Sequence, residues 1–152
     1  PHEIPNVLGE RHSGSTGWGD AAVIIPWTMY MKYGDIRILE EHYESMKRWI
    51  QFLLTLTDTD LVIRKGFHYG DWLFFIHPTD WNDKPGYTDT DLVATAFFFY
   101  STGLVEKTAR ILNKTEDIIY FKGLQKNIKN FFPLPEPFSY YIYILYYFTK
   151  NL

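Results

Sequence analysis

Gly17-Trp18-Gly19-Asp20-Ala21-Ala22-Val23-Ile24-Ile25-Pro26-Trp27 opens a stretch that continues through Met29, Tyr30 and Tyr33-Gly34-Asp35, and its reading decides the fold. Upstream, Pro1, Pro5, Gly9, Gly14 and Gly17 break any period, and Ser13, Ser15 and Thr16 add turn chemistry. Residues 1–17 therefore read as a loop. Beyond it the chain is apolar on almost every side. That pattern predicts a buried inner helix beginning near Trp18–Asp20. Pro26 lacks an N–H and clashes with the preceding turn, so it either kinks this helix or marks a late first turn. Gly34 tolerates the left-handed conformation that ends many helices and is the expected terminator.

Reading outward, Asp35 is placed to cap a second helix. Ile36, Leu39, Tyr43, Met46, Ile50 and Leu53 recur at steps of three and four, an amphipathic stripe. Glu40, Glu41, Glu44, Lys47 and Arg48 fill the other face, with Glu44–Arg48 a favourable i,i+4 pair. A helix with one wet face is an outer helix, and its glutamates read as solvated rather than catalytic. Residues 57–88 are irregular. Leu61-Val62-Ile63 reads as a short strand, followed by Gly66-Phe67-His68-Tyr69-Gly70-Asp71-Trp72-Leu73 and a loop with Pro78, Asn82, Pro85 and Gly86. A loop this long in a helical domain usually serves a function. Thr88 with Asp91 resembles a capping box. It opens a third helix over about Asp89–Leu112, whose first half is again apolar all round. Thr115, Glu116 and Asp117 start a fourth, with Lys126 and Lys129 near its end as the helix dipole favours. Its stripe is Ile118, Phe121, Leu124, Ile128 and Phe131. The order inner, outer, loop, inner, outer gives an all-α chain of two helical hairpins, an α/α toroid or related array.

Composition narrows the function. The chain has 152 residues, enough for one domain with a real core. Hydrophobic residues make up 46%, which argues against disorder over most of it. The 5 Trp, 12 Tyr and 12 Phe suit either core packing or platforms under sugar rings. Core is the plainer reading for most of them. Net charge is -3 with no Lys/Arg stripe, which argues against nucleic acid as a partner. With no cysteine the chain holds no disulfide, thiolate metal site or Cys nucleophile. Residues 1–5 carry neither a basic nor an apolar leader pattern. The chain begins without Met and reads as a processed or excised product, leaving its compartment open. Residues 138–149 (FSYYIYILYYFT) carry no charge, yet twelve residues are too few to cross a membrane as a helix.

Three colinear segments carry a resemblance: residues 17–49 as quoted, including Leu39, Tyr43 and Met46-Lys47-Arg48-Trp49; Phe67-His68-Tyr69-Gly70-Asp71-Trp72-Leu73; and Thr88-Asp89-Thr90-Asp91-Leu92-Val93-Ala94-Thr95-Ala96. Ile4-Pro5-Asn6-Val7 also fits. Together they resemble bacterial α-L-rhamnosidases of glycoside hydrolase family 78. The resemblance covers about residues 1–130 and fails after about Phe132. It implies an (α/α)6 barrel, here incomplete: residues 1–132 a partial catalytic-barrel segment, residues 133–152 a divergent aromatic-rich tail. It further implies hydrolysis of terminal α-L-rhamnose with inversion, from a rhamnose-containing glycoside or polysaccharide. The remainder of the barrel is the implied partner, and no cofactor or metal is implied. Inversion needs one carboxylic acid for the leaving oxygen and one carboxylate to activate water. The family's acid lies in an upstream Arg-Asp-Glu stretch. Glu10-Arg11 ahead of Gly17 has the wrong spacing for it. The family's base lies in a downstream Trp-Glu, and no Trp-Glu dipeptide occurs here. No catalytic residue is expected, and the chain alone should be inactive.

What the resemblance does carry over is part of a sugar subsite. Asp20 is the expected acceptor for rhamnose hydroxyls, the plainer reading being a helix cap. Trp27 and Trp72 are expected as aromatic walls, or else as core tryptophans. Asp71 would bind a hydroxyl or brace its loop. Trp81 is a lesser pocket candidate, and Trp18 a loop anchor. His68 and His77 flank the Gly-Asp-Trp loop, but their spacing fits no usual metal pattern, and a satisfied structural histidine is the plainer reading. Asp89 and Asp91 read as helix-start charges. Two other functions fit the same fold: a non-catalytic carbohydrate-binding or scaffold module, and a helical interaction domain. An incomplete toroid also leaves helix faces open, at about 25 cal/mol per Å² of exposed apolar area.

Overall fold

Four helices follow one another in the computed structural model, which describes residues 14–70 and 88–131: α1 (Ala21–Tyr33), α2 (Ile36–Thr55), α3 (Thr90–Ile111) and α4 (Thr115–Phe131). Asp71, Trp72, His77, Trp81, the Glu10-Arg11 pair and the 133–152 tail lie outside the described residues. Helix α1 packs on α2, α3 packs on α4, and α2 and α1 both meet α3. The two hairpins share one core. It runs from Val23 through Tyr43, Met46, Trp49, Ile50 and Leu53 of α2 to Phe98 and Val105 of α3 and Phe121 and Ile128 of α4.

The helix ends follow local chemistry. Gly34 closes α1 at φ 68°, and its N–H donates to the Tyr30 carbonyl. Asp35 caps α2 by accepting from the Arg37 N–H. The cap of α3 lies one residue later than the sequence pattern suggests. Asp89, not Thr88, accepts from the Leu92 N–H at 3.0 Å, which starts the helix at Thr90. Glu116 and Asp117 sit in the first turn of α4 and Lys129 in its last, each sign facing the pole that attracts it.

The stripes of α2 and α4 bury at Leu39, Tyr43, Met46, Ile50 and Leu53, then at Phe121, Leu124 and Ile128, while Ile36 at the start of α2 stays exposed and Ile118 is half-buried. Three details differ. Glu44 meets Lys47 at 3.6 Å, one turn on, instead of Arg48. The expected strand over Leu61-Val62-Ile63 reduces to an isolated bridge between Thr57 and Ile63. Leu61 turns the chain at φ 57°, and the Ile63 N–H leaves the ladder to donate to the Thr95 hydroxyl on α3.

The third difference concerns α1. Only Val23 and Pro26 are buried along it, whereas Ile25 is 58%, Met31 55% and Tyr33 68% exposed. Pro26 falls in the second turn, where it removes one backbone hydrogen bond. An all-round apolar helix needs neighbours on all sides to be buried. Among the described residues α2 and α3 are its main helical neighbours. The fold is thus part of a helical toroid: two hairpins with an inner helix that is still uncovered on one side.

Candidate functional site

The glycines at 17 and 19 have separate tasks. Gly17 adopts φ 84°, a left-handed conformation that a Cβ would strain. That geometry turns its N–H onto Asp20 Oδ2 at 2.7 Å. Gly19 lies against the indole of Trp49, where an added Cβ would meet a ring carbon at 2.2 Å. The absent side chain lets Trp49 reach from α2 under the loop and donate Nε1–H to Asp20 Oδ1 at 2.8 Å. Ser101 of α3 donates its hydroxyl to the same oxygen at 2.5 Å. One carboxylate therefore ties the entry loop to both α2 and α3.

Asp20 is 0% exposed. Burial pushes its carboxyl above the ordinary value of 3.8, against the opposing pull of hydrogen bonds from Ser101, Trp49 and Gly17. Desolvation penalises the charged form, while donors stabilise it; here desolvation wins. Its side chain makes no helix-cap bond. The Asp20 carbonyl does receive the first helical N–H groups, from Val23 and Ile24. The chain as described offers a solute no surface of this carboxylate, so the geometry supports a tie within the scaffold over direct contact with a hydroxyl.

Trp27 lies seven residues beyond Asp20, on the same helical face. It is half-buried, packs beside the core, tilts against Tyr30 at 6.0 Å and carries the Lys107 ammonium 5.8 Å from its ring centre. Of the four residues expected at a sugar site, Asp20 and Trp27 are thus placed by one helix, the first sealed and the second partly open. Asp71 and Trp72 follow directly on Gly70, the last described residue of their loop.

That loop is anchored to the one before α1. His68 accepts at Nδ1 from the Thr16 N–H at 3.1 Å, and its Nε2 lies 3.0 Å from the Lys65 carbonyl. Trp18 tilts against Tyr69 at 5.4 Å. His68 is therefore a satisfied structural histidine in this arrangement, as the plainer reading had it. Among the described residues no group of three His, Asp or Glu is placed to hold a metal ion, and no helix is long and apolar enough to cross a membrane.

Sequence reading missed Trp49, Ser101 and Thr16 as partners. A signal existed for Ser101: a short polar side chain within a largely apolar helix interior needs a partner. Trp49 gave a weaker one, as an indole beside the Ile50 stripe position.

The family model of the bacterial alpha-L-rhamnosidase 6 hairpin glycosidase domain matches residues 1–134. An alpha-L-rhamnosidase of Formosa agariphila is 39% identical over 134 residues, 87% of this chain and 14% of its own length. The crystal structure of a Streptomyces avermitilis alpha-L-rhamnosidase complexed with L-rhamnose aligns at TM-score 0.64 and 33% identity, covering 84% of this chain and 11% of that one. Native alpha-L-rhamnosidase from Aspergillus terreus aligns at TM-score 0.70 and 29% identity, over 84% of this chain and 15% of its own. The chain spans about a seventh or less of the relatives it matches.

Proposed function

Because the chain belongs to the bacterial α-L-rhamnosidase six-hairpin glycosidase family, we propose that it forms part of the sugar-binding wall of an inverting rhamnoside hydrolase. In this reading it supplies neither catalytic carboxyl group. The observation that carries the proposal is the alignment of most of this chain with a rhamnosidase solved with L-rhamnose bound. Trp27, which packs beside the core and is only half-buried, supports it by keeping part of its side chain open. A deoxy-hexose has an apolar face and a C6 methyl that pack well on an indole.

The roles divide accordingly. Trp27 and Trp72 are aromatic walls, and Asp71 accepts from a sugar hydroxyl. Asp20 enters as the base of the pocket and not its lining: it fixes where α1 begins and so where Trp27 lies. The substrate is a rhamnose-containing glycoside or polysaccharide, and the rest of the barrel provides the acid and the base.

The test extends the polypeptide on both sides to a complete barrel and measures rhamnose release from an aryl α-L-rhamnoside. Trp27→Ala should lower kcat/KM about tenfold or more, the loss of one aromatic wall contact. Full kcat/KM in that variant would remove Trp27 from the pocket. The 152-residue chain alone should release no rhamnose; turnover by it would overturn the absence of catalytic carboxyl groups. Calorimetric binding of rhamnose by this chain alone, in the millimolar range or tighter, would favour a non-catalytic sugar-binding module instead.

A further inference from the structure

We propose that His68 is a positioning residue of this pocket, a strut that fixes residues 66–70 against the glycine loop at 14–20; the inference rests on the functional reading above. His68 is 7% exposed, and its ring has a partner at each nitrogen. Nδ1 lies 3.1 Å from the Thr16 nitrogen and 3.0 Å from Thr16 Oγ1. Nε2 lies 3.0 Å from the Lys65 carbonyl. A carbonyl only accepts and a backbone N–H only donates, so Nε2 carries the hydrogen and Nδ1 is bare. One neutral tautomer satisfies every partner, and its two bonds point into different segments of chain.

The placement gives those bonds their consequence. Thr16 lies four residues before Asp20, whose carboxylate grips the same loop from the other side through Trp49 and Ser101. The loop is thus held between two clasps. The Asp20 clasp sets it against the helices. The His68 clasp sets it against residues 66–70. The Trp18–Tyr69 contact at 5.4 Å spans the same gap, and Gly66 at φ 89° bends the chain so that His68 points back. A histidine that only filled the core would need neither the single tautomer nor a backbone partner 52 positions away.

Two conservative substitutions separate the bonds. His68→Asn keeps an acceptor at the position of Nδ1 and loses the Lys65 bond. His68→Gln sets its amide at the reach of Nε2 and loses the acceptor for Thr16. In the 152-residue chain, amide hydrogen exchange at Thr16 should rise about tenfold in His68→Gln and stay near the parent value in His68→Asn, the loss of one hydrogen bond. In the complete barrel, KM for an aryl α-L-rhamnoside should rise about tenfold in His68→Gln with kcat within about twofold. His68→Asn should restore it, although both variants lower Tm alike. Unchanged Thr16 exchange in His68→Gln would overturn the strut. A KM that follows Tm in both variants, regardless of exchange, would reduce His68 to packing. No turnover by the parent barrel would end the functional reading and the pocket role with it, while Thr16 exchange would still decide whether the two segments are clasped.

Discussion

The two ends of α1 differ more than their sequences do. At the entry, Asp20 has no exposed surface and receives hydrogen bonds from a loop glycine, a tryptophan of α2 and a serine of α3. Further along, Ile25, Met29, Met31 and Tyr33 lie open. Polarity alone would have placed them the other way round. Burial belongs to neighbours, and hydrogen bonds from α2 and α3 converge on the entry. The contrast makes a large prediction. Asp20→Ala orphans three donors, one of them a buried indole N–H, and should lower stability by about 3 kcal/mol, net of the relief from no longer burying a carboxyl. Met31→Ser at the open end should stay within about 0.5 kcal/mol. Urea unfolding of both variants checks the pair, and equal losses would erase the distinction between the two ends.

A smaller effect tests how the entry is built. Gly19→Ala brings a Cβ to 2.2 Å from the Trp49 ring. Either the indole leaves Asp20 or the loop lifts, and overpacking of this kind costs about 1–3 kcal/mol. Gly34→Ala makes a useful control: its Cβ meets nothing, and only the positive φ opposes it. Near-ultraviolet circular dichroism should report a moved indole for Gly19→Ala and none for Gly34→Ala. An unmoved Trp49 signal in Gly19→Ala would mean that the close approach is not what the glycine serves.

These contrasts also mark what could be read from the residues beforehand. Helix number, order and the stripes of α2 and α4 were readable because apolar spacing is set by the helix itself. The cap of α3 shifted by one residue because Thr88 and Asp89 both offer a capping oxygen and the residue pattern alone does not select between them. The exposure of α1 was unreadable locally, since an all-round apolar helix states what it needs and not what surrounds it. The entry node was half-readable. Asp20 stood out as a carboxylate beside glycines, but its partners lie 29 and 81 positions away, beyond any local pattern. Asp71 and Trp72 remain a sequence reading carried by the family.

The pH dependence should separate the same two environments. The Asp20 carboxyl is raised in the folded chain by burial, so the native state holds its proton more tightly than the unfolded chain. Its contribution is fully present below about pH 4 and is lost as pH rises through the folded value. The urea midpoint of the parent chain should therefore fall with rising pH over that window. Asp20→Asn cannot titrate and should remove that fall. An identical slope in the two proteins would show that Asp20 is not the buried titrating group.

Asp117 gives the opposite and smallest case. It lies in the first turn of α4 and accepts from the Tyr43 hydroxyl at 2.8 Å and from Lys47 at 3.0 Å, joining α4 to α2. Some burial works against its charge. The bonds from Lys47 and Tyr43 outweigh it and hold the carboxyl below its ordinary 3.8. A depressed folded value means stability that is present above about pH 4 and lost as pH falls through the folded value, the reverse of Asp20. Because both partners keep some exposure, 22% for Lys47 and 26% for Asp117, screening limits the pair to about 1 kcal/mol or less. Asp117→Asn should therefore lower the urea midpoint slightly near neutral pH and leave no difference from the parent chain well below pH 3. It should also respond to salt, since added ions weaken an ion pair near the surface far more than a sealed node. A salt-insensitive loss as large as that of Asp20→Ala would mean that the α2–α4 contact is a second buried polar node, equal in weight to the entry of α1 among the described residues.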